Sequence, residues 1–218
     1  MNSLRRPGVR LFLLGEGFLY AAFLWFDWRG GLNSTPLKYA SILLCALFAL
    51  LWAWIGGGDG LVALAMGLTA AADTFLLELN VHYAVGLLLF CGVQLCYFLR
   101  IFSRRRRSLW GLRLILFLLS LWGLRELGLL TPLNGLALFY FTNFFCNVLL
   151  CLPLMGKSAG CFTAGLILFL CCDLCVAAYQ FPAVLPQTVY GFVRIGMWLF
   201  YLPGQVLIAL SGLPGQES

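Results

Sequence analysis

Charged residues are scarce in this sequence: Asp, Glu, Lys and Arg make up only 10% of its 218 residues, and His82 is the single histidine. This composition excludes an ordinary soluble domain, in which about a quarter of the residues are charged. A lone histidine at the edge of an apolar segment also leaves a buried serine nucleophile without its usual base. Hydrophobic residues, in contrast, make up 62% of the chain. The sequence therefore predicts an integral membrane protein.

Hydrophobic runs of about 20 residues, long enough to cross roughly 30 Å of hydrocarbon, recur between short polar or Gly/Pro breaks. They predict an all-α, polytopic membrane protein built as a bundle of eight transmembrane helices. No soluble domain or long linker separates them, so residues 1–218 are expected to form one domain. The predicted helices cover residues 9–26, 36–55, 61–77, 82–102, 109–130, 133–154, 159–179 and 189–210.

The basic residues are distributed unevenly between the two ends of these helices. One end has Arg5, Arg6 and Arg10, the six arginines at 100, 104–107 and 113, and Lys157. The other end has only Arg29, Lys38 and Arg125. Lys and Arg are retained on the cytoplasmic side, so both termini are expected in the cytoplasm. The net charge of +6 then reflects topology and contact with membrane lipids. Nucleic-acid binding is not expected of charges that flank apolar helices.

The nine cysteines lie in or beside the hydrophobic runs, where they are expected to act as small packing residues. The densest group is Cys171, Cys172 and Cys175 in helix seven. It lacks the second ligand cluster that a zinc site normally has, so we expect neither a metal nor another cofactor.

Two aspartates lie inside apolar segments, Asp73 in helix three and Asp173 in helix seven. Both helices leave the cytoplasm in the expected topology, and the two residues lie about 18 Å and 21 Å along them. An ionised carboxylate in a membrane costs several kcal/mol unless it faces a wet interior or a cation. A recurrence at matching depth favours a functional pair, although hydrogen bonding between helices is the alternative.

Further polar residues predict an internal chamber around these aspartates. On helix eight, one face is expected to carry Tyr190, Arg194, Trp198, Tyr201 and Gln205. Helix four contributes Gln94 and Tyr97, and helix six contributes Tyr140, Asn143 and Asn147. The guanidinium of Arg194 is expected to need an anion, either an aspartate or a substrate phosphate.

The order of these motifs resembles the lysoplasmalogenase, or YhhN-like, transmembrane family. The resemblance covers about residues 35–210 and rests on order and spacing, because each motif is short. Gln94 stands where the family often has His. The matching features are Pro36-Leu37, Asp73, Gly86-Leu-Leu-Leu-Phe90 leading to Tyr97, Asp173 in "CCDLCVAAYQF", and Tyr201 with Gln205 in "YLPGQVLIAL".

This resemblance implies an enzyme that hydrolyses the vinyl-ether bond of lysoplasmalogens to a fatty aldehyde and a glycerophospho-base. Asp73 and Asp173 would be catalytic, as one acid and one base. The lysophospholipid substrate would contact Arg194, Tyr201, Gln205, Gln94, Tyr97 and Asn143. Two other readings stay open: a small-molecule or proton-coupled transporter, and a scaffold whose polar residues only specify packing.

Overall fold

The chain is helical almost throughout in the computed structural model, which describes residues 6–29, 33–79, 81–154, 159–180 and 185–214. The all-α prediction is confirmed for these ranges. α3 continues into a π-helical segment, Thr74–Glu78, and α6 into a short 3-10 turn, Leu152–Leu154. The helices are α1 Pro7–Arg29, α2 Thr35–Ile55, α3 Gly60–Asp73, α4 Tyr83–Arg105, α5 Trp110–Glu126, α6 Pro132–Cys151, α7 Gly160–Tyr179 and α8 Gln187–Ser211.

Seven of these helices are long and apolar enough to cross a bilayer, which indicates a multi-pass membrane protein. The exception is α5, whose 17 residues extend about 26 Å. The sequence placed a longer span there, at 109–130, and that prediction is wrong in length. The helix ends at Glu126 because Gly128 turns the chain with a φ of 68°.

The helices alternate in direction, so the start of α1 and the end of α8 lie at the same end of the bundle. At that end the Asp59 amide donates to the Gly212 carbonyl over 2.9 Å. Arg100, near the end of α4, binds the Ser211 side chain and carbonyl at the end of α8, each at 2.7 Å. We call this the arginine end and the other the opposite end. That the arginine end faces the cytoplasm stays a prediction.

Packing is tightest between α7 and α8. A β-carbon added to Gly165 would lie 2.7 Å from the Ile208 side chain and 2.9 Å from the Gly204 carbonyl. Only glycine permits this approach of the two backbones, as small residues commonly do between membrane helices. The close contact fixes the position of α8 relative to α7.

Pro203 interrupts the hydrogen bonding of α8 in the middle of the bundle. Proline has no N–H to donate to the carbonyl four residues earlier, which here belongs to Leu199. The Tyr20 hydroxyl of α1 donates to that carbonyl over 3.4 Å. Tyr201 and Gln205, the two polar residues of the α8 motif, lie on either side of this proline.

Candidate active site

Asp73 occupies the last position of α3, where the helix widens into the π-helical segment. Asp73 is only 7% exposed, and its carboxylate accepts a hydrogen bond from the Tyr201 hydroxyl of α8 at 2.5 Å. The next residue, Thr74, pairs its hydroxyl with that of Tyr39 on α2 at 2.7 Å. π-helical turns inside α-helices often accompany functional sites. The hydrogen bonds of Asp73 and Thr74 at this turn connect α3 to α8 and to α2, respectively.

Asp173 has a matching arrangement on α7. Its carboxylate accepts a hydrogen bond from the Tyr140 hydroxyl of α6 at 2.7 Å. Tyr140 is buried, whereas Asp173 itself is partly exposed. Each aspartate therefore has one tyrosine donor, and each tyrosine comes from a different helix.

The structure brings the two carboxyl groups together. Asp73 and Asp173 lie within electrostatic range of each other, and Cys172 interacts with both. The hydroxyls of Tyr140 and Tyr201 also lie within range of one another. We call Asp73 and Asp173 the carboxyl pair. α3 and α7 supply the two aspartates, and α8 and α6 supply their tyrosine partners.

Aromatic rings line the carboxyl pair on its buried side. The Phe169 ring centre lies 5.3 Å from that of Tyr201 and 4.8 Å from that of Phe144. Phe90 of α4 completes this wall, 5.7 Å from Tyr140 and 6.0 Å from Phe169. A wall of this kind holds the tyrosines in place and suits a hydrocarbon chain.

Three residues predicted to contact substrate lie deeper in the protein than the carboxyl pair. Gln205 is four residues beyond Tyr201 and is fully buried, and Gln94 and Tyr97 of α4 are 2% and 1% exposed. All three lie on the side of the pair that faces the arginine end. The structure thus groups them between the carboxyl pair and the arginine end.

Two other predicted contacts have different surroundings. Asn143 accepts from Arg113 at 2.8 Å and donates to the Phe139 carbonyl at 2.8 Å, so its amide is already engaged within the protein. Arg194 is exposed, and no carboxylate among the described residues lies within ion-pair distance of it. The prediction that one polar face of helix eight points inward is wrong there. The outer turns of α8 are less enclosed, which lets a long cationic side chain reach a polar surface.

Sequence reasoning missed three buried cations, which it had assigned only to topology. Lys38 is 7% exposed, and its Nζ lies 2.8 Å from Asp27 and 4.7 Å from the centre of the Trp198 ring. Arg100 pairs with Asp59 at 2.7 Å. Arg113 donates to Asn147 at 2.7 Å. Their positions one or more turns inside helices, rather than in loops, are the signal that could have revealed them.

Within the described ranges, no three His, Cys, Asp or Glu side chains are arranged to hold a metal ion. Cys171, Cys172 and Cys175 are all free thiols. The chemistry that this site can perform with its own groups is proton transfer, through two carboxyls and two phenols.

Comparison with known proteins gives one match. The family model described as the YhhN family matches residues 33–212, which includes α2 to α8 and every residue of the candidate site. No curated protein and no solved structure matches the chain. Because the match covers most of the sequence, the chain belongs to the YhhN family.

Proposed function

We propose that this protein hydrolyses the vinyl-ether bond of lysoplasmalogens, releasing a fatty aldehyde and a glycerophospho-base. One observation carries the proposal: two membrane-embedded aspartates from α3 and α7 lie together, each bound by a tyrosine hydroxyl. Such a pair is expensive in an apolar interior and is the usual sign of function there. Membership of the YhhN family supports the same conclusion.

The reaction needs an acid and a base in one place. A proton is first added to the alkene carbon that is farther from the ether oxygen, which leaves an oxocarbenium ion. Water then adds to the carbon bonded to oxygen and loses a proton, which gives a hemiacetal. When the hemiacetal collapses, its hydroxyl proton passes to the departing glycerol oxygen. One water is consumed. The proton given to carbon is replaced by the proton taken from water, so the two carboxyls together again hold one proton, which passes between them to restore the acid and the base.

The carboxyl pair can fill both roles if its members share one proton. Two carboxylates close together in a low-dielectric site are more stable with one proton between them than with two negative charges. The protonated member donates to carbon, and the ionised member stabilises the oxocarbenium ion and then accepts the proton of water. Tyr140 and Tyr201 hold the carboxyls in orientation. The aromatic wall offers ring faces to the passing cation.

The substrate fits the polarity of the site in one orientation. The partly exposed Asp173 marks the approach to the pair, and the alkenyl chain lies against Phe90 and Phe169. Arg194, exposed toward the opposite end, is free to meet the phosphate. It lies seven residues from Tyr201, about 10 Å along α8, a separation that its long side chain helps to bridge. Gln205 is buried on the other side of the pair, so the phosphate does not reach it.

The test is aldehyde release from lysoplasmenyl-ethanolamine by the purified protein in detergent. Wild-type protein should release aldehyde, and Asp73→Asn and Asp173→Asn should each lower kcat by about 10²- to 10⁴-fold, the usual contribution of general acid–base groups. Glu16→Gln is the matched control, because Glu16 is also a buried carboxyl but binds Ser41 and Cys45 on α2. It should keep its activity if it folds.

The competing function is transport, in which the aspartates carry protons and no bond is broken. Wild-type protein that releases no aldehyde, but whose proteoliposomes take up substrate or protons in an Asp73-dependent manner, would favour the transporter. Full hydrolytic activity in both folded Asn variants would contradict the mechanism.

A further inference from the structure

A second group of polar side chains lies one helical turn from the carboxyl pair, toward the arginine end. Thr69 precedes Asp73 by four residues on α3, and Gln205 follows Tyr201 by four residues on α8. α3 and α8 run in opposite directions, because the start of one meets the end of the other at Asp59 and Gly212. Both residues are therefore displaced by about 6 Å in the same direction.

Tyr97 of α4 joins this group, and Gln94 lies three residues before it on the same face of α4. We call the four residues the inner polar layer: Thr69, Gln94, Tyr97 and Gln205. α3 packs along α4, and the hydroxyls of Tyr97 and Thr69 lie within electrostatic range of each other, although neither has a hydrogen-bond partner among the described residues. Tyr97 also lies within electrostatic range of Tyr140, which binds the carboxyl pair. The layer therefore lies next to the carboxyl pair, on the side of the arginine end. Its members are between 0% and 2% exposed.

The hydrogen-bonding capacity of this layer is not met by the protein. Both amide atoms of Gln205 and the Nε2 of Gln94 have no hydrogen-bond partner among the described residues. By contrast, the Gln94 Oε1 accepts from the Asn147 Nδ2 at 3.1 Å. Nearly all buried polar atoms in native proteins are paired, since an unmet one costs about 1–3 kcal/mol. A fully buried glutamine with neither amide atom paired indicates a bound molecule.

The chemistry of the layer identifies that molecule. Its four side chains are uncharged, and between them they offer both donors and acceptors. An anion or a cation would find no countercharge in the layer, and a phospholipid headgroup is too large for so enclosed a place. Water meets the requirement, because it donates and accepts at once and typically makes about three hydrogen bonds when buried.

We propose that the inner polar layer is a water-binding site, held by Gln205 and Gln94 and completed by the hydroxyls of Thr69 and Tyr97. If the proposed function holds, the same site supplies the water that attacks the oxocarbenium ion; this part of the inference rests on that function. The bound substrate fills the partly exposed approach to the pair during turnover and would exclude water from that side. Each turnover consumes one water, which reaches the carboxyl pair from the side of the arginine end.

Hydroxyl-radical footprinting by X-ray pulses tests the binding site without any need for activity. Radicals form from water in place, so a buried side chain beside bound water is oxidised and one in a dry core is not. Tyr97, at 1% exposure, should be oxidised well above Phe23, a ring of α1 at 0% exposure. In Gln205→Leu, the oxidation of Tyr97 should fall to the level of Phe23. Tyr97 oxidised no faster than Phe23 in the wild-type protein would overturn the proposal.

Thr69→Val provides a second variant of nearly unchanged volume in case Gln205→Leu does not fold. Its control is Thr163→Val, at a buried threonine whose hydroxyl donates to the Cys151 carbonyl at 3.3 Å near the arginine end. Thr69→Val should reduce Tyr97 oxidation, whereas Thr163→Val should leave it unchanged. Equal reduction in both variants would indicate a general loosening and would contradict a local water site.

Kinetics separate the supply role from the proposed function. Gln205→Leu should lower kcat for aldehyde release and leave KM unchanged, with partial rescue in Gln205→Asn, which keeps an amide. If wild-type protein releases no aldehyde but Tyr97 is oxidised, the water site stands and the proposed hydrolysis fails. If aldehyde is released and Gln205→Leu keeps full kcat, the hydrolysis stands and the supply role is refuted.

Discussion

Tyr201→Phe is the change that isolates the hydrogen bond at the centre of the site. Tyr201 is 5% exposed, and its hydroxyl is the donor to Asp73 at 2.5 Å. Phenylalanine keeps the ring that packs against Phe169 and Trp198, at 5.3 Å and 5.9 Å between centres, and removes only the oxygen. The substitution should therefore leave the packing of α8 intact.

The size of the effect follows from the kind of bond. A hydrogen bond to a charged group contributes about 1.5–3 kcal/mol. Each 1.36 kcal/mol of lost transition-state stabilisation lowers the rate about tenfold. If the bond orients or stabilises the carboxyl during proton transfer, kcat should fall by about 10- to 150-fold. KM should change little, because the hydroxyl is engaged with Asp73.

The assay is steady-state aldehyde release from lysoplasmenyl-ethanolamine, followed by mass spectrometry alongside thermal unfolding of each variant. Tyr20→Phe is the matched control, since it removes a hydroxyl that donates to a backbone carbonyl of α8 at 3.4 Å. It should stay within about twofold of the wild-type kcat, because a long bond to a neutral acceptor contributes little. A folded Tyr201→Phe variant as active as Tyr20→Phe would refute the role assigned to this bond.

Three further predictions concern stability, measured by thermal unfolding in detergent. Gly165→Ala should destabilise the protein by about 1–3 kcal/mol, because the new β-carbon would overlap α8. The control is Gly67→Ala, which should not destabilise the protein, because Gly67 has open space around it. Arg100→Gln should cost about 3–5 kcal/mol, since it removes one partner of a buried ion pair and two bonds to the end of α8; unchanged stability would contradict this. Lys38→Met should lower stability by about 1–3 kcal/mol, and adding Asp27→Asn should cost little more, because their ion pair is already lost.

Helix positions could be predicted because hydropathy alone marks each apolar run, but helix ends depend on local geometry. α1 continues to Arg29, beyond the predicted end at 26, and its last turn places the Arg29 guanidinium 4.7 Å from the centre of the Trp25 ring. α5 ends early, at Glu126, because Gly128 turns the chain; the sequence could not distinguish the left-handed conformation of Gly128 from that of a helical glycine. The π-helical segment after Asp73 likewise has no sequence signature.

In the site, too, the sequence pattern predicts some residues, whereas others depend on how the helices pack. Asp73 and Asp173 could be singled out because a carboxylate in an apolar helix is costly wherever it points. Their tyrosine partners required the rotation of α6 and α8, which is set by contacts such as that at Gly165. Arg194 was predicted to face inward by periodicity alone, which takes no account of how little encloses the outer turns of α8.

The central claim, that the two aspartates act as one catalytic unit, is tested most directly by the rate of aldehyde release from Asp73→Asn/Asp173→Asn relative to the two single variants. Groups that act together in one step lose nearly all their contribution when either is removed. If the two aspartates act as one unit, the double variant is no slower than the slower single variant, within about twofold. Losses that multiply in the double variant, or a double variant that is folded and as active as the wild type, would contradict it.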